Sequence, residues 1–185
     1  MKIVLNGCYG GFGLSYEAMV LYLHAKNREA FFYKDISSYD DYTKVHKYQR
    51  ITLQEIRKSN TFGYIYCTTE DQGEYLFSFP EGIINFNNID RTDPILISVI
   101  ETMGSEAASG RFALLYIEEI PNGTQYKIDN YDGIEELVTK DDENWKVAGF
   151  QYQSMQTQLK IEAMWNLIKP SPTPDPDLTF REENF

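Results

Sequence analysis

Histidine and cysteine are scarce: two of each stand among 185 residues. Cys8 and Cys67 cannot build a disulfide framework, and no C-x-x-C or H-x-x-x-H spacing offers a metal site. His24 and His46 fall on a predicted helix and in a polar stretch. The chain therefore spells out neither a two-histidine ribonuclease centre nor a Cys8–histidine pair. Long apolar runs are also missing. The longest, Pro94-Ile-Leu-Ile-Ser-Val-Ile100, is far too short to span a bilayer, and only three apolar residues separate Met1-Lys2 from Asn6. These absences predict a soluble cytoplasmic chain with reduced thiols, no membrane partner, and no cofactor, although they do not rule out a divalent metal. Positive charge is the last deficit. Seventeen basic residues face 28 acidic ones, a net charge of −11. Such a surface repels phosphate backbones as a whole and suits a basic partner.

What is present makes a core. With 42% hydrophobic and 24% charged residues the chain can bury one ordinary domain, placed here over 1–169. Residues 2–6 read as a first strand. Gly7-Cys-Tyr-Gly-Gly-Phe-Gly13 follows, holding four of the 12 glycines. Ser15 can cap a helix with apolar positions Tyr16, Met19, Val20 and Leu23, and 30–33 reads as the next strand. Thr52-Leu-Gln-Glu55 fits a capping box for a short helix over 53–58. Asp93-Pro94 predicts a helix start and Gly104 its end. Strands are predicted over 111–120, 124–129 and 134–138, with a turn at Tyr131-Asp-Gly133, and a helix over 150–169. Two aromatic-rich segments, 62–68 and 74–79, flank Glu70-Asp-Gln-Gly73 and predict a hairpin. The fold class expected is α/β in the α+β sense: a mixed sheet with flanking helices and a protruding β-hairpin within an insertion over 36–88. From 170 to 185 an acidic tail carries Pro170, Pro172, Pro174 and Pro176, a pattern of extended chain.

Three groups of residues could carry chemistry. The glycine loop could cradle an anion through Gly10, Gly11, Gly13 and Ser15 at a helix start. Its spacing matches neither G-x-G-x-x-G nor the P-loop pattern, so a tight turn with close packing is the stronger reading. The one basic stretch, 44–58, carries Lys44, Lys47, Arg50, Arg57 and Lys58 against the single acid Glu55, with Tyr39, Tyr42 and Tyr48 beside or within it. Aromatic rings plus cations are how single strands are gripped, which makes Lys44, Lys47, Tyr48, Arg50, Arg57 and Lys58 the RNA-binding candidates. The predicted hairpin adds Tyr64, Tyr66, Glu70, Asp71, Gln72, Gly73 and Tyr75. Replacing its tip, 70–73, with a short linker is expected to leave the melting temperature nearly unchanged. Arg91, just before a helix start, is expected to pair with a carboxylate such as Glu101.

The opening Met1-Lys-Ile-Val-Leu-Asn-Gly-Cys-Tyr-Gly-Gly-Phe-Gly-Leu-Ser15 resembles a family of small phage and prophage proteins. So does a second block made of Arg91-Thr-Asp-Pro94, Ala108-Ser-Gly110, Ile117-Glu-Glu-Ile-Pro121 and Tyr126-Lys-Ile-Asp-Asn-Tyr-Asp-Gly133. In length and added segments the chain most resembles the streptococcal anti-CRISPR proteins of type II-A systems. That resemblance implies a phage-encoded inhibitor whose partners are a type II effector nuclease and its guide RNA, with the guide truncated only when the effector is present. Arg91, Asp93, Glu119, Asp132 and Glu135 match the shared pattern and are the catalytic candidates it offers, yet the pattern could equally encode a scaffold. The segments between 35 and 88 are peculiar to this chain, so the specific function is expected there. A steric module that mimics nucleic acid, and an accessory phage protein unrelated to CRISPR, are the alternatives. Oligomeric state is left open.

Overall fold

The computed structural model describes residues 1–37, 46–59, 64–139, 146–147 and 154–170. Lys44, Tyr39, Tyr42 and the tail from 171 onward lie outside them. Among the described residues the chain is an α+β protein with antiparallel sheets.

Strand β1 (Lys2–Asn6) leads through the glycine loop into α1 (Tyr16–Ala25), whose first turn is capped by the Ser15 hydroxyl accepting from the Ala18 N–H at 3.1 Å. β2 (Phe31–Asp35) and β3 (Tyr48–Ile51) follow, then α2 (Leu53–Lys58), opened by the reciprocal Thr52–Glu55 capping box. β4 (Ile65–Thr68), β5 (Tyr75–Leu76) and a 3₁₀ turn at Phe86–Asn88 lead to α3 (Pro94–Met103). α3 starts at the predicted Asp93-Pro94 and stops at Gly104, whose φ of 83° suits glycine. A single-turn α4 (Ser105–Ala108) follows directly. β6 (Leu115–Glu119), β7 (Gln125–Tyr131), β8 (Ile134–Val138), β9 (Lys146–Val147) and α5 (Met155–Ile168) complete the order. None of the described helices is long and apolar enough to cross a membrane.

Among the described residues the sheets are three: β1-β6, β4-β2-β3-β5 and β8-β7-β9. Every pairing is antiparallel, where the sequence suggested a mixed sheet. The reason is long-range: β1 pairs with β6, more than a hundred residues on, and not with β2 across α1. Strand alternation divides β1 between two cores. Val4 joins the larger core with Leu21, Leu96, Val99, Leu115 and Ile161, while Ile3 and Leu5 pack with Ile120 and Tyr126. β1 and β6 thus lie between the helices and the β7–β8 ribbon.

The predicted hairpin is not one. β4 and β5 are opposite edges of the four-stranded sheet, held apart by β2 and β3. β4 pairs along β2 over four residues and β5 along β3 over two. The predicted strand over 111–120 begins only at Leu115, because 110–114 is used to pack against the glycine loop.

Candidate nucleic-acid interface

The four-stranded sheet has an inner and an outer face. Phe32, Ile51 and Cys67 share a register on the inner face and pack toward α1. Burial pushes the Cys67 thiol up to about 12, which leaves it an inert thiol in the core. The outer face carries Tyr33 opposite both Tyr66 and Arg50, with Tyr48 one pair along. Over it runs the chain that links the two edges. Phe79 lies edge-on against Tyr66 at 5.0 Å and Tyr48 at 5.8 Å, and those two rings meet edge-to-face at 5.8 Å. His46 stacks on Tyr48 at 6.4 Å.

Residues 71–73 of the predicted tip, 70–73, tie this segment down. The Tyr33 hydroxyl accepts from the Gln72 N–H at 2.7 Å and donates to Asp71 Oδ1 at 3.4 Å. Asp71 pairs with Arg50 and also accepts from the Gly73 N–H, where φ is 101°. The Arg50 guanidinium holds the Asp71 carboxyl below the usual carboxylate value, while burial raises the Tyr33 phenol, so the pair stays ionic and the phenol protonated at neutral pH. The Gln72 side chain bridges to Glu81 in both directions, at 2.8 and 2.9 Å. Replacing 70–73 with a linker removes all of these bonds. The melting temperature is therefore expected to fall by several degrees, against the expectation drawn from sequence; an unchanged thermal transition would show the ties to be idle.

Around the edges of this sheet, aromatic rings face solvent. Tyr64, Tyr75, Phe77 and Phe79 are 75%, 53%, 69% and 56% exposed. By alternation Tyr64 stands on the outer face with Tyr66 and Tyr33, whereas Tyr75, opposite Gln49, stands on the other side of the β5 edge. The two edges are three inter-strand spacings apart, about 14 Å. Phe77 and Phe79 were missed as site residues. Their signal was the alternation Tyr75-Leu-Phe77-Ser-Phe79, with nothing nearby in sequence to cover it.

The basic stretch is distributed differently from its sequence reading. Arg50 is committed to Asp71. Arg57 bonds Glu17 at 2.7 Å and also the Ile168 carbonyl, which fastens α2 to α1 and α5. Tyr48 is only 2% exposed and cannot stack a base. Lys47 and Lys58 face solvent, and Lys44 lies outside the described residues.

The catalytic candidates do not converge. Arg91 and Glu135 do meet, at 2.8 Å, but as an interior brace: Glu135 is 5% exposed and also accepts from the Asn6 N–H at 3.1 Å. The Arg91 guanidinium lies 3.4 Å over the Phe12 ring and donates to the carbonyls of Asn87 and Ile89. Its predicted partner Glu101 pairs with Lys2 instead, because α3 turns Glu101 toward the start of β1. Asp93 accepts from the Ile95 N–H at 2.8 Å and the Tyr22 hydroxyl at 2.8 Å, and pairs with Lys26 at 2.8 Å. Burial alone would raise its carboxyl, but these donors outweigh it and hold the pKa below the ordinary value. Glu119 is exposed opposite Lys2 in the ladder, and Asp132 is exposed at a φ of 51° in the β7–β8 turn.

The glycine loop belongs to the same brace. A Cβ on Gly10 would sit 1.7 Å from the Phe112 carbonyl oxygen, and one on Gly133 would sit 2.5 Å from the Gly11 nitrogen. Buried Asn6 donates to the carbonyls of Cys8 and Gly133 at 2.6 and 2.7 Å. The Cys8 thiol donates to the Phe112 carbonyl at 3.0 Å. The Ser15 hydroxyl, besides capping α1, donates to the Ala107 carbonyl at 2.7 Å. Gly11 and Gly13 have open space around the Cβ position. The glycines at 10 and 133 serve close backbone approach between three loops.

Among the described residues no group of three or more histidine, cysteine or carboxylate side chains is placed to hold a metal ion. The chain matches no protein-family profile, no curated protein and no solved structure. What it does has to be argued from its surface.

Proposed function

We propose that this chain is a phage-encoded inhibitor of a type II CRISPR effector nuclease and that it engages the guide RNA through the exposed rings Tyr64, Tyr75, Phe77 and Phe79. The observation that carries the reading is the set of rings itself, in the segment where the sequence departs from the shared phage pattern. Each base stacked on an aromatic ring contributes about 1–3 kcal/mol, whatever its identity. The rings have little cationic support, since Arg50 and Arg57 are spent internally and the chain is at −11. RNA gripped this way needs a second, basic protein to hold its backbone. An effector already carrying its guide is such a partner, and the acidic body suits its basic channels.

Arg91, Glu135 and Asp93 brace the fold, and Glu119 and Asp132 stand apart. We therefore assign the cut in the guide to the effector's own nuclease, redirected, rather than to an active site here. The competing reading is a steric nucleic-acid mimic, which the net charge favours and which leaves the guide whole.

The test is a denaturing gel of labelled guide with this protein, with the effector, with both, and with both using a nuclease-dead effector. A shortened guide only with both proteins, abolished by the dead effector, is the expected result. A guide shortened with the dead effector would move the cut to this chain, and a guide intact in every lane would leave the steric reading.

A further inference from the structure

Two hollows of the described chain adjoin each other between the end of α1, the start of β2 and α5. Their volumes are about 430 and 390 Å³, and they share His24, Arg28, Glu29 and Met164. Hollows of this size accommodate small molecules. The floor of the second is apolar, with Phe31, Phe32, Ile51 and Leu53, while the first is lined by His24, Asn27, Arg28, Glu29 and Lys160 with Met164.

The rim follows from how α1 ends. Asn27 takes a left-handed φ of 58°, its N–H donates to the His24 carbonyl at 2.9 Å, and the Arg28 N–H donates back to the Leu23 carbonyl at 2.9 Å. This paired closure is the Schellman arrangement, with asparagine in the place glycine usually holds. It sets His24, Asn27 and Arg28 around one hollow. Asn27 Oδ1 then accepts from Lys160 of α5 at 2.8 Å, bringing a cation from a second helix to the same rim.

The cations at this rim are held by neutral partners, as Lys169 is by the Asn166 amide oxygen. Lys2, Lys26, Arg50, Arg57 and Arg91 each pair with a carboxylate. Arg28 donates instead to the Thr69 hydroxyl at 2.5 Å and Lys160 to the Asn27 amide oxygen, both neutral. In a protein with 28 acidic residues, two cations on neutral partners at one rim leave their charge to an anion from outside. Complementing the carbonyls at the end of α1 would account for His24 and Arg28. It does not account for Lys160, which belongs to α5. Glu29 is the one carboxylate among the described lining residues. It disfavours a bare multivalent anion and can accept from hydroxyl or amino groups.

We propose that this cleft binds a nucleoside phosphate, its ring over the apolar floor and its phosphate between Arg28, Lys160 and His24. The proposal is independent of the RNA reading above. Its phosphate comes either from a free mononucleotide or from the 5′-phosphorylated end of a strand. The test uses the full chain and the imidazole C–H signals of its two histidines, told apart with His46→Gln. The probes are AMP, adenosine, inorganic phosphate and a 5′-phosphorylated trinucleotide. AMP is expected to move the His24 signal saturably and leave His46 still, with adenosine and phosphate each at least about tenfold weaker. Arg28→Gln with Lys160→Gln should weaken AMP by about tenfold per cation removed, with the thermal transition unchanged. A trinucleotide tighter than AMP assigns the site to strand ends, and otherwise the free nucleotide is its ligand. No saturable shift of His24, adenosine or bare phosphate binding as well as AMP, or an unaltered double variant would each overturn it.

Discussion

Glu135→Ala is expected to destabilise the protein by about 3–5 kcal/mol, the usual result of stranding one member of a buried ion pair. The substitution leaves the partly buried Arg91 guanidinium without its carboxylate and removes the acceptor for the Asn6 N–H. For a chain of this length that is a fall in melting temperature of roughly 10 °C, readable by calorimetry. Replacing both partners with apolar residues, Arg91→Met with Glu135→Leu, should recover part of the loss, because no charge is then left alone. Glu135→Gln separates bracing from catalysis. It keeps an oxygen for Asn6 and loses the charge, so guide shortening should persist at temperatures where the variant is folded. Loss of shortening in a folded Glu135→Gln protein would return Glu135 to the catalytic candidates.

The second large effect belongs to the surface. Tyr64→Ala, Tyr75→Ala and Phe77→Ala together remove three rings that are each more than half exposed. At about 1–3 kcal/mol per stacked base, losing even two stacking contacts weakens the guide-bound complex by about thirtyfold or more. Surface substitutions of this kind shift stability by about half a kcal/mol or less each, so the thermal transition should hardly move. A complex of undiminished affinity, measured by anisotropy of labelled guide held by a nuclease-dead effector, would remove the rings from the account. Phe79 is left intact in this variant because it packs on Tyr48 and Tyr66 and supports the sheet.

These two predictions divide the chain along a line that was partly legible in its sequence. Local chemistry could be read directly. Ser15, the Thr52–Glu55 box, Asp93-Pro94 with Gly104, and Tyr131-Asp-Gly133 all sit where their capping and turn preferences put them. Pairing could not. The segments 62–68 and 74–79 look alike and lie close in sequence, yet each pairs with a different strand. Arg91 had several carboxylates within reach of any plausible fold, and only the packing of β8 against β1 selects Glu135. Counting charges in the basic stretch could not show that Arg50 and Arg57 already have partners within the chain. The glycine loop, by contrast, yielded to its spacing: a pattern that fits no phosphate motif proved to hold glycines pressed against neighbouring backbone at Gly10. The cleft around His24 and Arg28 left no mark in sequence, because Lys160 reaches it from the far end of the chain.

The claim at the centre is that RNA meets the rings of the four-stranded sheet and not the glycine loop. Ultraviolet cross-linking of this protein to a guide held by a nuclease-dead effector, followed by peptide mapping, tests it directly. Cross-links at Tyr64, Tyr75, Phe77 or Phe79 are the predicted result. Cross-links confined to Tyr9 and Phe12 in the glycine loop, or none to this chain at all, would contradict it.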